Sequence, residues 1–250
     1  MELHRTSDLR KCTVHASDGD VGRVEDLYFD DQHWTIRYLV VNTGGWLAGR
    51  HVLVSPVFFT RVDWADMRVQ VDLTRERVEK SPPVESAPPV SRGYELEYFH
   101  YYGLPFYGYG PAAWGAAVTP IEMPRAQPEA PKSPPFQDVE ASHVHSTADV
   151  AGYHIAATDG DIGHIDDFLF DDRTWTIRYL LVDTSNWWGG ARVLIAPAWT
   201  REVSWSQRLV TVALARDQMK SSPPLETVDH LTREYERRLH THYGRPPYWE

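Results

Sequence analysis

The stretch Trp34-Thr35-Ile36-Arg37-Tyr38-Leu39 returns letter for letter as Trp175-Thr176-Ile177-Arg178-Tyr179-Leu180. The offset is 141 (175 − 34), and Asp18/Asp159, Pro56/Pro197, Trp64/Trp205, Tyr94/Tyr235 and Tyr102/Tyr243 keep it. From Asp18 to Val41, 15 of 24 aligned positions are identical, against roughly one or two by chance. An internal repeat settles the architecture before any local reading does. This one is too long for a solenoid unit of about 20 to 50 residues, so each copy is expected to be a small domain with its own core. The expected boundaries are 1–102 for the first copy with a closing helix, 103–145 for a Pro/Gly/Ala-rich flexible linker, and 146–250 for the second copy with its helix.

Within each copy the pattern is β. Ile36, Tyr38 and Val40 share one face of a strand, and Arg37, Leu39 and Val41 share the other. Short strands are expected at 12–16, 21–29, 34–41, 50–55, 58–62 and 68–73, with Asp- and Gly-rich turns between them. No crossover helices separate them, which excludes a parallel α/β sheet. Thr74 is placed to cap a helix over 75–80. A second helix over 91–102 carries Tyr94, Tyr98 and Tyr102 at i, i+4, i+8, matched by Tyr235, Leu239 and Tyr243. The fold class expected is mainly β: two small antiparallel β-barrels, each followed by a short C-terminal helix.

Net charge is −10, which argues against general affinity for nucleic acid or anionic lipid. A single cysteine, Cys12, excludes an intrachain disulfide. No apolar run approaches a membrane span, and Met1 to Arg5 opens no signal-type apolar stretch, so a cytoplasmic location is expected.

Chemistry is sparse. The acidic cluster Asp18, Asp20, Glu25, Asp26, Asp30, Asp31 recurs in the second copy, but its spacing is not that of a calcium loop. His143/His145 and His240/His242 stand at i, i+2 without a third ligand nearby. Cys12 has Tyr153 as its counterpart (12 + 141), which argues against a thiol site shared by both copies. The loops Gly44-Gly45-Trp46 and Trp187-Trp188-Gly189-Gly190 fit neither a phosphate loop nor a dinucleotide fingerprint. No catalytic, cofactor-binding or metal-binding residue is assigned. The side chains put forward for contact with a partner are Trp46, Trp187, Trp188, Tyr235, Leu239 and Tyr243. For the tryptophans, packing on the barrel and exposure to a partner both stand open.

Gly19-Asp20-Val21-Gly22-Arg23-Val24-Glu25-Asp26-Leu27, then Ile36 to Val41, then Val52-Leu53-Val54-Ser55-Pro56, resembles the PRC-barrel domain. The second copy resembles it through Gly160 to Ile165, Ile177 to Val182 and Val193 to Pro197. The family is named for the cytoplasmic domain of the photosynthetic reaction-centre H subunit. It also takes in the C-terminal domain of a small-subunit ribosome maturation factor. The resemblance implies a six-stranded barrel that binds other macromolecules and has no active site. The expectation is a non-enzymatic protein-interaction or assembly module, related to reaction-centre-type complexes, with no cofactor. Its partner is a protein, with a homo-oligomer left open. The alternatives are a ribosome or RNA-processing assembly factor and a metal-dependent enzyme using the acidic turns.

Overall fold

A computed structural model describes residues 2–84, 90–124, 142–184, 192–225 and 231–250. The chain divides into two compact units. The first-repeat unit holds Thr6–Ala148 and Asp171–Thr176; the second-repeat unit holds Met1–Arg5, Asp149–Phe170 and Ile177–Glu250. The fold is mainly β.

The first-repeat unit contains a helical turn α1 (Thr6–Leu9) and six strands of its own copy. They are β2 (Thr13–Ala16), β3 (Gly19–Asp30), β4 (Thr35–Asn42), β5 (His51–Val54), β6 (Phe59–Asp63) and β7 (Arg68–Val71). They pair in the order β5-β4-β3-β2-β7-β6. The helices α2 (Arg75–Glu79) and α3 (Arg92–Tyr102) follow. Thr74 and Ser91 cap them by accepting from the Arg77 and Tyr94 amides, as their positions in the sequence require.

The second-repeat unit reproduces the order. The short strand β8 (Val144–Ser146) and the helical turn α4 (Thr147–Val150) precede it. Its strands are β9 (His154–Ala157), β10 (Gly160–Asp171), β11 (Ile177–Asp183), β12 (Arg192–Ile195), β13 (Thr200–Ser204) and β14 (Leu209–Val212). They pair as β12-β11-β10-β9-β14-β13, followed by α5 (Arg216–Lys220) and α6 (Arg233–His242). Registers agree at the same offset: Leu39 faces Val54 as Leu180 faces Ile195, and both long strands bulge between Val24/Asp26 and Ile165/Asp167.

Three features depart from the expected pair of antiparallel barrels. First, neither sheet closes: the end strands β5 and β6, or β12 and β13, are not joined. Second, β2 pairs parallel to β7, and β9 parallel to β14. The cause lies at Pro56–Phe58, a 3-10 turn that carries the chain from β5 into β6 without reversing its direction. Third, the strand β1 (Leu3–Arg5) pairs with β10, and β8 pairs with β3, so each sheet contains one strand that the sequence attaches to the other copy.

Gly22 and Gly163 mark an equivalent close backbone approach in the two copies. A Cβ on Gly22 would sit 1.9 Å from the Asn42 carbonyl oxygen, and one on Gly163 2.0 Å from that of Asp183. Only glycine fits where one backbone crosses another this tightly.

The segment after α3, expected to be a flexible linker, packs over its first twenty residues. Leu104, Phe106, Tyr107, Trp114 and Met123 are all buried. Aromatic side chains supply enough apolar area to order a segment that has no periodic pattern. Residues 125–141, the rest of that stretch, lie outside the described residues.

Candidate functional site

Helix α3 lies on its sheet through the tyrosine stripe. Tyr98 is fully buried; its hydroxyl accepts from the Ser55 amide at 3.1 Å and donates to the Leu53 carbonyl at 3.2 Å. Tyr94 donates to the Pro82 carbonyl at 3.0 Å, and Tyr102 packs on Phe58 with ring centroids 4.6 Å apart. Tyr94 and Tyr98 thus bury a large apolar body and still satisfy the polar tip.

One turn along the same helix sits Glu95, 1% exposed. Its Oε1 accepts from the hydroxyls of Tyr107 at 2.6 Å and Tyr38 at 3.0 Å. Burial pushes its carboxyl up to about 7, and the hydrogen bonds from Tyr107 and Tyr38, with the charge of Arg37, hold it from rising further. The same burial drives both tyrosines well above their ordinary range, so they remain neutral donors.

Arg37 lies beside this group with no exposed surface. Its Nε donates to Asp30 Oδ2 at 2.9 Å, and Nη2 lies 2.8 Å from the same oxygen. Nη1 and Nη2 make no hydrogen bond of good geometry. They face aromatic rings instead: the guanidinium carbon stands 3.7 Å from the Tyr107 centroid and 4.7 Å from that of Trp114. A cation over a π face recovers part of what missing acceptors withhold. Burial raises Asp30, but the charge of Arg37 and the hydrogen bonds from His33 outweigh it and hold the carboxylate below its usual range. Trp114 donates its indole N–H to the Thr174 carbonyl at 2.8 Å.

The second-repeat unit repeats the arrangement with substitutions. Glu236 (95 + 141) accepts on Oε1 from Tyr179 at 3.1 Å and Tyr248 at 2.8 Å. Here Arg233 pairs with its other oxygen at 3.0 Å, and His240, in the place of Phe99, lies 2.9 Å from the Tyr179 hydroxyl. Tyr248 also lies under Arg178, 4.3 Å from its guanidinium carbon. Each unit therefore fastens its C-terminal helix and the chain beyond it to the central strand through one buried carboxylate and two tyrosines. The sequence carried a signal for this. Tyr38, Glu95 and Tyr107 recur at the constant offset as Tyr179, Glu236 and Tyr248, although a glutamate on a short helix reads as a solvated side chain.

Of the residues put forward for a partner, Tyr235, Leu239 and Tyr243 are buried at 7%, 0% and 4% exposure. They belong to the core under α6. Trp46 is half-buried: its indole N–H donates to the Val21 carbonyl at 2.6 Å, and Arg75 stacks over its ring at 4.2 Å. Trp187 and Trp188 lie outside the described residues. Large apolar side chains that stay exposed among the described residues are Tyr109, Val118 and Ile121.

The acidic turns have local duties. Asp18 and Asp159 accept from the backbone amides of Arg75 and Arg216, at the starts of α2 and α5. Among the described residues no three His, Cys, Asp or Glu side chains gather as a metal ion requires. Cys12 is buried, and burial pushes its thiol up to about 11, away from nucleophilic use. No helix among the described residues is long and apolar enough to cross a membrane.

No curated protein matches the chain. The second copy shares the strand order and registers of the first, while the family match falls on the first. Residues 1–78 match the family model of the PRC-barrel domain.

Proposed function

We propose that this chain is a non-enzymatic protein-interaction or assembly module that uses no cofactor and takes a protein as its partner. The match of residues 1–78 to the PRC-barrel domain carries this reading. The two carboxylate clusters support it. Glu95 and Glu236, at 1% and 2% exposure, fasten helices and offer no face to a substrate. In its finer form the reading places the chain in an assembly of the reaction-centre type. The rival form is a ribosome or RNA-processing assembly factor. A net charge of −10 weighs against it, because phosphate contacts need basic side chains. Arg233, in the most basic stretch, is already committed to Glu236 and to the rings of Tyr248 and Trp249.

Affinity capture with the tagged full-length chain, with and without nuclease, tests the proposal. The expected result is a protein that survives nuclease and rebinds the chain when both are pure. Capture that nuclease abolishes would replace this reading with the RNA-linked one.

A further inference from the structure

His240 has no counterpart in the first cluster, where Phe99 stands in its place (99 + 141). It is 3% exposed. Its Nδ1 lies 2.9 Å from the Pro246 carbonyl oxygen, which can only accept, so Nδ1 bears a hydrogen. Its Nε2 lies 2.9 Å from the Tyr179 hydroxyl, whose single hydrogen also faces Glu236 Oε1 at 3.1 Å. With the imidazole neutral, Nε2 accepts from Tyr179 and both ring nitrogens are satisfied. Protonation makes Nε2 a donor, hands the Tyr179 hydrogen to Glu236, and leaves a full charge on a buried ring.

That charge meets no direct partner. Glu236, on the same helix, is reached only through Tyr179 and already pairs with Arg233. From β11, Arg178 lies over the Tyr248 ring. From residues 244–250 come Arg245, which donates to the Ala213 carbonyl, and Glu250, whose charge acts at a distance. Among the described residues no carboxylate touches the imidazole. A hydrogen bond gained at Glu236 is worth less than the hydration a buried charge gives up.

The cover over the ring comes largely from one segment. Pro246 holds Nδ1, Trp249 meets the ring edge-on with centroids 5.5 Å apart, and Tyr248 lies at 6.3 Å. Trp199, at 5.1 Å, closes another side from the 3-10 turn Pro197–Trp199. We propose that His240 is an acid-sensitive latch for residues 244–250: the neutral ring holds the segment through Pro246, and the charged ring releases it, because outward movement of that segment gives the charge its water. Burial holds the imidazole below its ordinary range, against the Pro246 carbonyl and the charge of Glu236. The closed form therefore binds the proton less tightly than the open form. The segment is held above the ordinary imidazole range and let go as pH falls below it. Each pH unit by which closure lowers the imidazole multiplies the open-to-closed ratio by about ten once both forms are protonated. This latch is separate from the partner proposed above, and its failure leaves that reading intact.

The test uses the full chain grown with 5-fluorotryptophan, the Trp249 resonance being assigned by its loss in Trp249→Phe. The fluorine shift between H2O and D2O reads solvent exposure of the Trp249 ring. It should grow as pH falls from 8 to 5, in step with the His240 titration followed by imidazole NMR. His240→Phe installs the residue of the first copy and should make the Trp249 exposure independent of pH, whatever its level. An exposure that stays flat in the parent chain, or that falls on acidification, overturns the proposal. So does a rise of the same size in His240→Phe, which would assign the release to another group.

Discussion

Tyr107 donates its hydroxyl to Glu95 at 2.6 Å, inside a region neither side chain shares with water. Tyr248 donates to Glu236 at 2.8 Å from a half-buried position. The contact joins the chain beyond the C-terminal helix to the helix, and Tyr38 joins both to the central strand. Burial of the Glu95 carboxyl, which these hydrogen bonds only partly offset, leads to an expected pH dependence of stability.

Folding raises the Glu95 carboxyl from 4.5 to about 7, with burial as the cause. The folded state therefore holds a proton that the unfolded state releases between those values. Its stabilising contribution is full below pH 4.5, falls as pH rises toward 7, and is gone above that. The integrated loss is about 3 kcal/mol at most. Glu95→Gln should flatten the dependence of melting temperature between pH 5 and 8 relative to the parent chain. Equal slopes would show that Glu95 is not the titrating group.

Tyr107→Phe removes one of the two hydroxyls that lower the Glu95 carboxyl. The substitution should destabilise by about 1 to 3 kcal/mol, because the carboxyl loses a buried donor. It should also move the titration of Glu95 upward, a shift that carboxyl-carbon NMR reads directly. A downward movement would contradict the hydrogen-bond direction.

Asp30→Ala leaves the Arg37 guanidinium without its carboxylate at zero exposure. A buried charge stripped of its partner destabilises by about 3 to 5 kcal/mol. Adding Arg37→Met should recover much of that loss, since an apolar pair of similar volume leaves no unpaired charge. Urea melts of the single and double variants decide it; a double variant as weak as the single would place the damage elsewhere.

Gly22→Ala and Gly45→Ala should behave oppositely. The first drives a methyl into backbone at 1.9 Å; the second meets nothing within 4 Å. Overpacking against backbone that cannot yield should cost about 2 kcal/mol or more. An open surface site should stay within about 0.5 kcal/mol. Thermal melts followed by circular dichroism compare them, and similar melting of the two variants would count against the close crossing.

Millimolar calcium or magnesium should leave the melting temperature unchanged. Asp18, Asp26 and Asp30 are committed to backbone amides, hydroxyls and Arg37. A ligand bound to the folded state must raise its melting point. A rise of several degrees would reveal a cation site in the acidic turns.

The duplication and the periodic patterns inside each copy were legible in the sequence. A constant offset announced two like copies. Alternating apolar residues placed the strands, Thr74 and Ser91 marked helix starts, and the spacing of Tyr94, Tyr98 and Tyr102 marked the buried face. These signals depend on neighbours a few positions apart, so the sequence displays them directly. Which strand completes which sheet was settled by the folded chain. Three residues such as Val144–Ser146 carry no local mark of a partner more than a hundred positions away. Only the tertiary structure, too, turned Glu95 inward, because its burial depends on hydroxyls from Tyr38 and Tyr107 arriving from two distant segments. Trp114 and Met123 found their core in the same way, since aromatic and apolar area can order a chain without any period to announce it.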